Sequence, residues 1–210
     1  YNVLMHSVEI ENVLNVYNII ANHFDKTRSG YIWSGIKNFI DNLDSSSITA
    51  DIGCGNGRNM LNKTGFIGCD FSIEFNMICS KKNLQSVNAN AVYLPFRSNC
   101  FDNAISIAVL HHIYSESDRI TALNELIRIV KPGGKIYIQV WALNKSYCTK
   151  KTYTEQDNLI DWHCRNDNTI YKRFYHLFTN DELLNLIPDT VNVLEYFFEK
   201  DNWCTILQVK

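Results

Sequence analysis

The most constraining feature of this chain is "ITADIGCGNGRN", residues 48–59, where a short apolar run breaks into Gly53, Gly55 and Gly57. An apolar run of this length stopped by glycine predicts a strand buried on both faces. Glycine at its exit predicts a turn in which backbone approaches a ligand with no Cβ in the way. Such a strand needs partners on both edges and helices above and below.

The remaining pattern supplies them. "VEIENVLNVYNIIANHF", residues 8–24, places Val13, Val16, Tyr17, Ile20 and Phe24 on one helical face, and "YIWSGIKNFIDNL" predicts a second helix. "GFIGCD" reads as a strand ending at Asp70, and "SIEFNMICSKK" as a helix opened by Ser72 as N-cap. "SVNANA" and residues 101–110 are two more strands. A helix follows from Ser115, with Asp118 at capping-box spacing, and stops at "KPGG"; "KIYIQVWAL" is the next strand. Thr179 and Glu182 open a helix over "TNDELLNLI". "VNVLEYFFE" and "NWCTILQVK", joined at Lys200-Asp201, can only be an antiparallel hairpin.

This alternation predicts one α/β domain over residues 1–210, with a mostly parallel sheet covered by helices on both faces. Two helices fill 1–45, the glycine-containing core 46–143, and a helix with the hairpin 179–210. Residues 144–178 are the one segment the alternation leaves unexplained.

A net charge of −2 excludes nucleic-acid binding by bulk charge, so any such contact must come from Lys81-Lys82, Lys145 with Lys150-Lys151, or Lys172-Arg173. Seven cysteines without a C-x-x-C pair fit reduced thiols of a cytosolic or nuclear protein, not a disulfide framework or zinc site. No apolar stretch nears membrane-spanning length and no signal-peptide pattern opens the chain, which predicts a soluble protein.

Two common readings of the glycine loop fail. A dinucleotide fingerprint wants a third glycine where Arg58 stands, and a Walker A loop wants Gly-Lys-Ser/Thr. Asp70, 19 residues after Asp51, can accept from both ribose hydroxyls of an adenosine. After the third strand, Asn90 and Ala91 are placed for the adenine edge and Leu94–Phe96 for a wall of the ring. The bland alternative is a tight glycine turn beside a surface aspartate.

Loop, acid and "LPF" turn together resemble the class I S-adenosylmethionine-dependent methyltransferases. The resemblance implies a Rossmann-like fold, a seven-stranded sheet with its last strand antiparallel, and S-adenosylmethionine as cofactor. Asp51 would face the methionine amino group, Gly53, Gly55 and Gly57 would line the cofactor, Asp70 would hold the ribose, and Asn90 with Ala91 the adenine. Many members carry Asp where Asn90 stands.

"VYNIIANHFDKTR", "FDNAISIAVLHHI", "KPGGKIYIQVWAL", "RFYHLF" and "DNWCTIL" then occur in order. They are similar to the eukaryotic tRNA wobble-uridine methyltransferases that esterify 5-carboxymethyluridine at position 34. The likeness runs from about Val16 to the end, with a stretch between "VWAL" and "YHLF" that is longer in some members. A carboxylate acceptor is already ionised at pH 7, so the site must supply alignment and partial charge compensation rather than a general base.

In this reading one of His111 and His112 faces the pocket, and His112 is the choice, as a donor or a wall. Arg28 holds the carboxymethyl group beneath a lid made by the first 45 residues, with Tyr31 and Trp33 nearby. Arg173, Tyr175 and His176 in the inserted segment bind phosphate or stack on the base, and Trp203 lies near the same rim. The resemblance also implies the tRNA anticodon loop as substrate and a heterodimer with a small zinc-binding activator protein, which adds a strand beside "SVNANA". A small-molecule carboxyl or quinone methyltransferase and a non-catalytic scaffold subunit are the competing readings.

Overall fold

The computed structural model describes residues 6–28, 32–143, 153–164 and 168–210. Tyr31, Lys145, Cys148, Lys150 and Lys151 lie outside the described residues.

Seven strands form one sheet in the order β3-β2-β1-β4-β5-β9-β8. β1 (Thr49–Ile52), β2 (Phe66–Asp70), β3 (Ser86–Asn88), β4 (Phe101–Ile107) and β5 (Val130–Trp141) are mutually parallel. β9 (Asn202–Val209) runs antiparallel between β5 and β8 (Val191–Glu199), so the closing hairpin completes the sheet. Register explains the first motif: Asp51 lies between Gly68 of β2 and Ile105 of β4, and all four residues of β1 are buried.

Helices cover both faces. α5 (Glu116–Ile129) buries Leu123, Leu126 and Ile129 against Ile52, Ile136 and Leu207. α3 (Ser34–Asp41) buries Ile36, Phe39 and Ile40 against Ile105, Tyr137 and Cys204 on the other side. Each such side chain contributes about 1.5–3 kcal/mol on leaving water. α4 (Ile73–Lys81) starts as its sequence predicts, with Ser72 Oγ accepting from Phe75 N–H at 3.3 Å. Ser115 Oγ likewise accepts from Asp118 N–H at 3.1 Å at the start of α5.

The N-terminal helix runs from α1 (Ser7–Glu9) through a wide π turn at Ile10–Leu14 into α2 (Asn15–Thr27). It lies across the carboxyl ends of the strands. Asn56 Nδ2 and Lys82 Nζ meet Asp25 Oδ1 at 2.9 and 2.5 Å, and Ser72 Oγ donates to Asn18 at 2.6 Å, fastening the helix to the loops beneath.

Two elements depart from the sequence reading. The unexplained segment contains a separate antiparallel pair, β6 (Asp157–His163) and β7 (Ile170–His176), which packs Trp162 and Cys164 against Val16 and Ile20 of α2. The helix expected from Thr179 is the short α6 (Glu182–Asn185), because Asp181 takes a left-handed φ of 65°. Glu182 still accepts from Thr179 N–H at 3.0 Å.

Candidate active site

A cavity of about 610 Å³ opens at the carboxyl ends of β1, β2, β4 and β5, roofed by the N-terminal helix and walled by β6 and β7. Open α/β sheets bind ligands at this position.

The turn after β1 forms the floor. Gly53 has φ +75°, and a Cβ there would lie 2.1 Å from Val109 Cγ2, so only glycine fits. Gly55, at φ +54°, has nothing within 4 Å of a built Cβ and faces open space. Its N–H donates to Asp70 Oδ2 at 2.8 Å, while Ser72 N–H donates to Asp70 Oδ1 at 2.8 Å. The carboxylate ending β2 thus organises two loops and keeps lone pairs toward the cavity; burial pushes its pKa up to about 6. Gly57 does not line the cavity, and its Cβ position faces Leu84 behind the loop.

Asp51 lies beneath this floor, fully buried, next to the Asn59 side chain and the Arg58 charge of the same loop. Burial raises its pKa to about 7. It does not line the cavity itself, unlike Arg58 and Asn59 of the same loop. Asn90 and Ala91 do line it, and Asn90 Oδ1 accepts from Val92 N–H at 3.1 Å. The wall beside them is Ala89–Val92 with Phe71 and Ile113. Leu94 and Phe96, expected there, instead turn into the core, Phe96 edge-on to Phe101.

The adjacent histidines separate cleanly, for a reason other than strand alternation. β4 ends at Ile107, Ala108 takes φ 63°, and Leu110–His112 form a 3-10 turn. Its roughly 120° per residue sends His111 inward, where Nδ1 accepts from Trp141 N–H at 3.1 Å, and leaves His112 on the cavity. His112 Nδ1 lies 2.7 Å from Phe174 O and Nε2 lies 2.8 Å from Tyr17 Oη. Burial, then the nearby Arg173 charge, lower its pKa to about 3, so it is neutral at physiological pH. Both ring nitrogens are engaged within the protein, which fits a wall rather than a free donor.

Arg28, Arg173 and Tyr175 also line the cavity. The guanidinium carbon of Arg28 lies 5.4 Å from the Trp162 ring centroid. Arg173 lies 4.8, 5.0 and 5.9 Å from the rings of Trp162, Tyr175 and Tyr17. Arg58, beneath Trp33 at 5.5 Å, is a third cation on the wall. Among the described residues none of the three pairs with a carboxylate. Aromatic faces hold the charges without neutralising them.

His176 is a correction. Side chains alternate along β7, so Arg173 and Tyr175 face the cavity and His176 faces away. Its ring lies 2.6 Å from both Asp157 Oδ1 and Glu182 Oε1, tying β6 to α6. Trp203 is also outside the cavity, stacked on Tyr196 at 5.4 Å.

Among the cavity residues that the sequence does not mark as functional are Tyr17, Trp162 and Arg58. Tyr17 stood on the apolar stripe of a helix and read as core. Trp162 lay in the unexplained segment. Arg58 counted only as a departure from a dinucleotide fingerprint, although a cation directly after the glycine loop was itself a signal.

The comparisons agree with this geometry. Residues 50–138 match the Methyltransferase domain family. A protein of Schizosaccharomyces pombe named tRNA (carboxymethyluridine(34)-5-O)-methyltransferase is 33% identical over 96% of this chain and 98% of its own length. This chain belongs to that methyltransferase family. A Xenopus tropicalis protein of the same activity name, alkbh8, is 33% identical over 96% of the chain. The chain spans 41% of that relative's length.

Among solved structures, a SAM-dependent methyltransferase from Methanosarcina mazei superposes with a TM-score of 0.67 at 20% identity, covering 85% of this chain and 98% of that one. A putative methyltransferase in complex with the Haloferax volcanii Trm112 methyltransferase activator gives 0.63 at 14% identity, covering 94% and 98%. The fold is that of the S-adenosylmethionine-dependent methyltransferases, and the residues present fit the cofactor: Gly55 leaves room for it, Asp70 offers carboxylate lone pairs, and Arg58 offers an unpaired cation.

Proposed function

We propose that this enzyme transfers a methyl group from S-adenosylmethionine to the carboxylate of 5-carboxymethyluridine at wobble position 34 of tRNA. The observation that carries the reading is Arg173, a guanidinium held by three aromatic rings and no carboxylate, in the same cavity as the glycine loop and Asp70. Such a group is built to receive an anion.

The bound sulfonium supplies an activated methyl group. The acceptor carboxylate would already be ionised at pH 7, so no residue of this chain would have to move a proton. The protein's contribution is therefore geometric. Asp70 and the Asn90 turn would hold the nucleoside end of the cofactor, and Arg28 and Arg173 would hold the acceptor. Neutral His112 packs beside them and adds no charge that would blunt the nucleophile. Tyr175, stacked on His111 at 4.8 Å and beside Trp141 at 4.5 Å, walls the acceptor end and accepts from Arg173 Nη1 at 2.7 Å through its hydroxyl.

The substrate is the tRNA anticodon loop, and the activator is a small zinc-binding protein in a heterodimer. Supporting it, β3 is a sheet edge three residues long with Val87 exposed, and a structural relative is found with a Trm112 activator. The six cysteines among the described residues are all free thiols, which supports a cytosolic or nuclear location. No described helix is long and apolar enough to cross a membrane.

The deciding experiment incubates the protein, with and without a Trm112-type partner, with labelled donor and tRNA carrying 5-carboxymethyluridine, followed by mass spectrometry of the wobble nucleoside. A methyl ester at that nucleoside is expected; label in small carboxylic acids but never in tRNA would favour the small-molecule reading.

A further inference from the structure

At the acceptor end of the cavity, one backbone carbonyl sets the direction of a chain of hydrogen bonds. Phe174 O can only accept, so His112 Nδ1, 2.7 Å away, carries a proton. The imidazole is neutral, so Nε2 presents a lone pair and Tyr17 Oη, at 2.8 Å, donates to it. With its hydrogen committed, the Tyr17 oxygen can only accept from its other neighbours.

Arg173 Nη1 donates to Tyr17 Oη at 3.3 Å and to Tyr175 Oη at 2.7 Å. Both Nη1 hydrogens are thereby engaged. Nε is buried without a partner, and Nη2 forms no hydrogen bond with the described residues. An arginine free to roll would grip a carboxylate with a two-pronged fork. Here one prong is tied down by phenols.

We propose that Tyr17 is a positioning residue for methyl transfer: its hydroxyl, oriented by His112, fixes the roll of Arg173 so that Nη2 is the nitrogen presented to the acceptor carboxylate. This rests on the reading of the acceptor as a carboxylate. Contact through a single nitrogen orients one carboxylate oxygen and leaves the other with lone pairs for the methyl group.

The test is Tyr17→Phe, which keeps the ring packed against Phe24 and Phe75 and removes only the hydroxyl. With partner-bound enzyme and carboxymethyluridine tRNA, kcat is expected to fall about 10- to 100-fold, the scale of an ångström-level misplacement, with cofactor Kd unchanged. In an Arg173→Ala background the same change should cost less than about threefold, because the guanidinium it acts through is gone. Equal losses in both backgrounds, or no loss in the first, overturn the inference. Should Tyr17→Phe fail to fold, nitrogen NMR of wild-type His112 decides. A protonated Nδ1 with pyridine-type Nε2 is expected, and protonated Nε2 overturns the relay. A wild-type enzyme that leaves this tRNA unmethylated overturns the functional reading and the inference with it, whereas an active wild type with an unaffected Tyr17→Phe overturns the inference alone.

Discussion

The two halves of the cavity are built in opposite ways. The half proposed for the cofactor comes from consecutive loops of one sheet: Gly53 and Gly55 after β1, Asp70 ending β2, Asn90 and Ala91 after β3. Its groups are held by short-range backbone bonds such as Gly55 N–H to Asp70. The half proposed for the acceptor gathers Tyr17, Arg28, His112, Trp162, Arg173 and Tyr175 from the roof helix, a 3-10 turn and a separate hairpin. Its charges are held by aromatic faces. A rigid pocket for a constant cofactor thus sits beside a composite one, where placement depends on how three elements dock.

The contrast can be broken first at Asp70. Asp70→Ala removes a carboxylate that joins the loops after β1 and β2 and also lines the cavity. Losing two charge-assisted bonds to ribose, at about 1.5–3 kcal/mol each, should weaken cofactor binding by on the order of 10³-fold in titration calorimetry. Near-normal affinity would mean that the cofactor lies elsewhere.

Gly53→Ala comes next. Strain at φ +75° and the clash with Val109 together should cost about 2–4 kcal/mol of stability in denaturant unfolding. An unchanged midpoint would show the turn to be more compliant than its geometry implies.

On the other side, Arg28→Ala should lower turnover by about 100-fold, the scale of one lost electrostatic contact at the reacting groups. It should leave cofactor affinity intact, and that split between kcat and Kd is what separates the halves. A matching loss of cofactor affinity would merge them.

The cofactor half should also carry a pH signature. Burial raises Asp51 to about 7 and Asp70 to about 6, above the unfolded value near 4. The folded protein without cofactor therefore binds protons more tightly than the unfolded chain. Its thermal midpoint should rise as pH falls from about 8 to about 5. Cofactor affinity should move the other way below about pH 6, since protonated Asp70 loses an acceptor. His112, held near 3 when folded against about 6.5 when unfolded, opposes this rise below about pH 6.5, so the net gain is smaller than the two carboxylates alone would give. Parallel rather than opposing trends would remove Asp70 from the ribose role.

The smallest effect is expected at the fastening between the halves. Asp25→Asn weakens a half-exposed ion pair with Lys82, which should cost about 0.5–1 kcal/mol in thermal unfolding and raise the cofactor Kd only a few-fold. A large loss of turnover would mean that the roof helix is less firmly seated than its remaining bonds suggest.

Most of the sheet was legible in advance. The seven strands, the closing hairpin and the Ser72 and Ser115 caps all follow from local periodicity and turn chemistry, which act within a few residues. β6 and β7 were not legible, because Trp162, Arg173 and Tyr175 are buried by the roof helix more than a hundred residues away, and their sequence carries no clean alternation of apolar and polar side chains. α6 came out shorter than its capping signal because Asp181 turns left-handed.

The amino-acid sequence by itself determined the fold, the glycine loop and the acid that ends β2 beside it, since these depend on residues adjacent along the chain or in neighbouring strands of a predictable sheet. Tertiary structure alone decided which histidine meets the cavity, that His176 turns away from it, and that the Tyr17 hydroxyl meets His112 and Arg173 there. The direction of a side chain on a turn or a hairpin depends on what packs against it, and no local pattern records that.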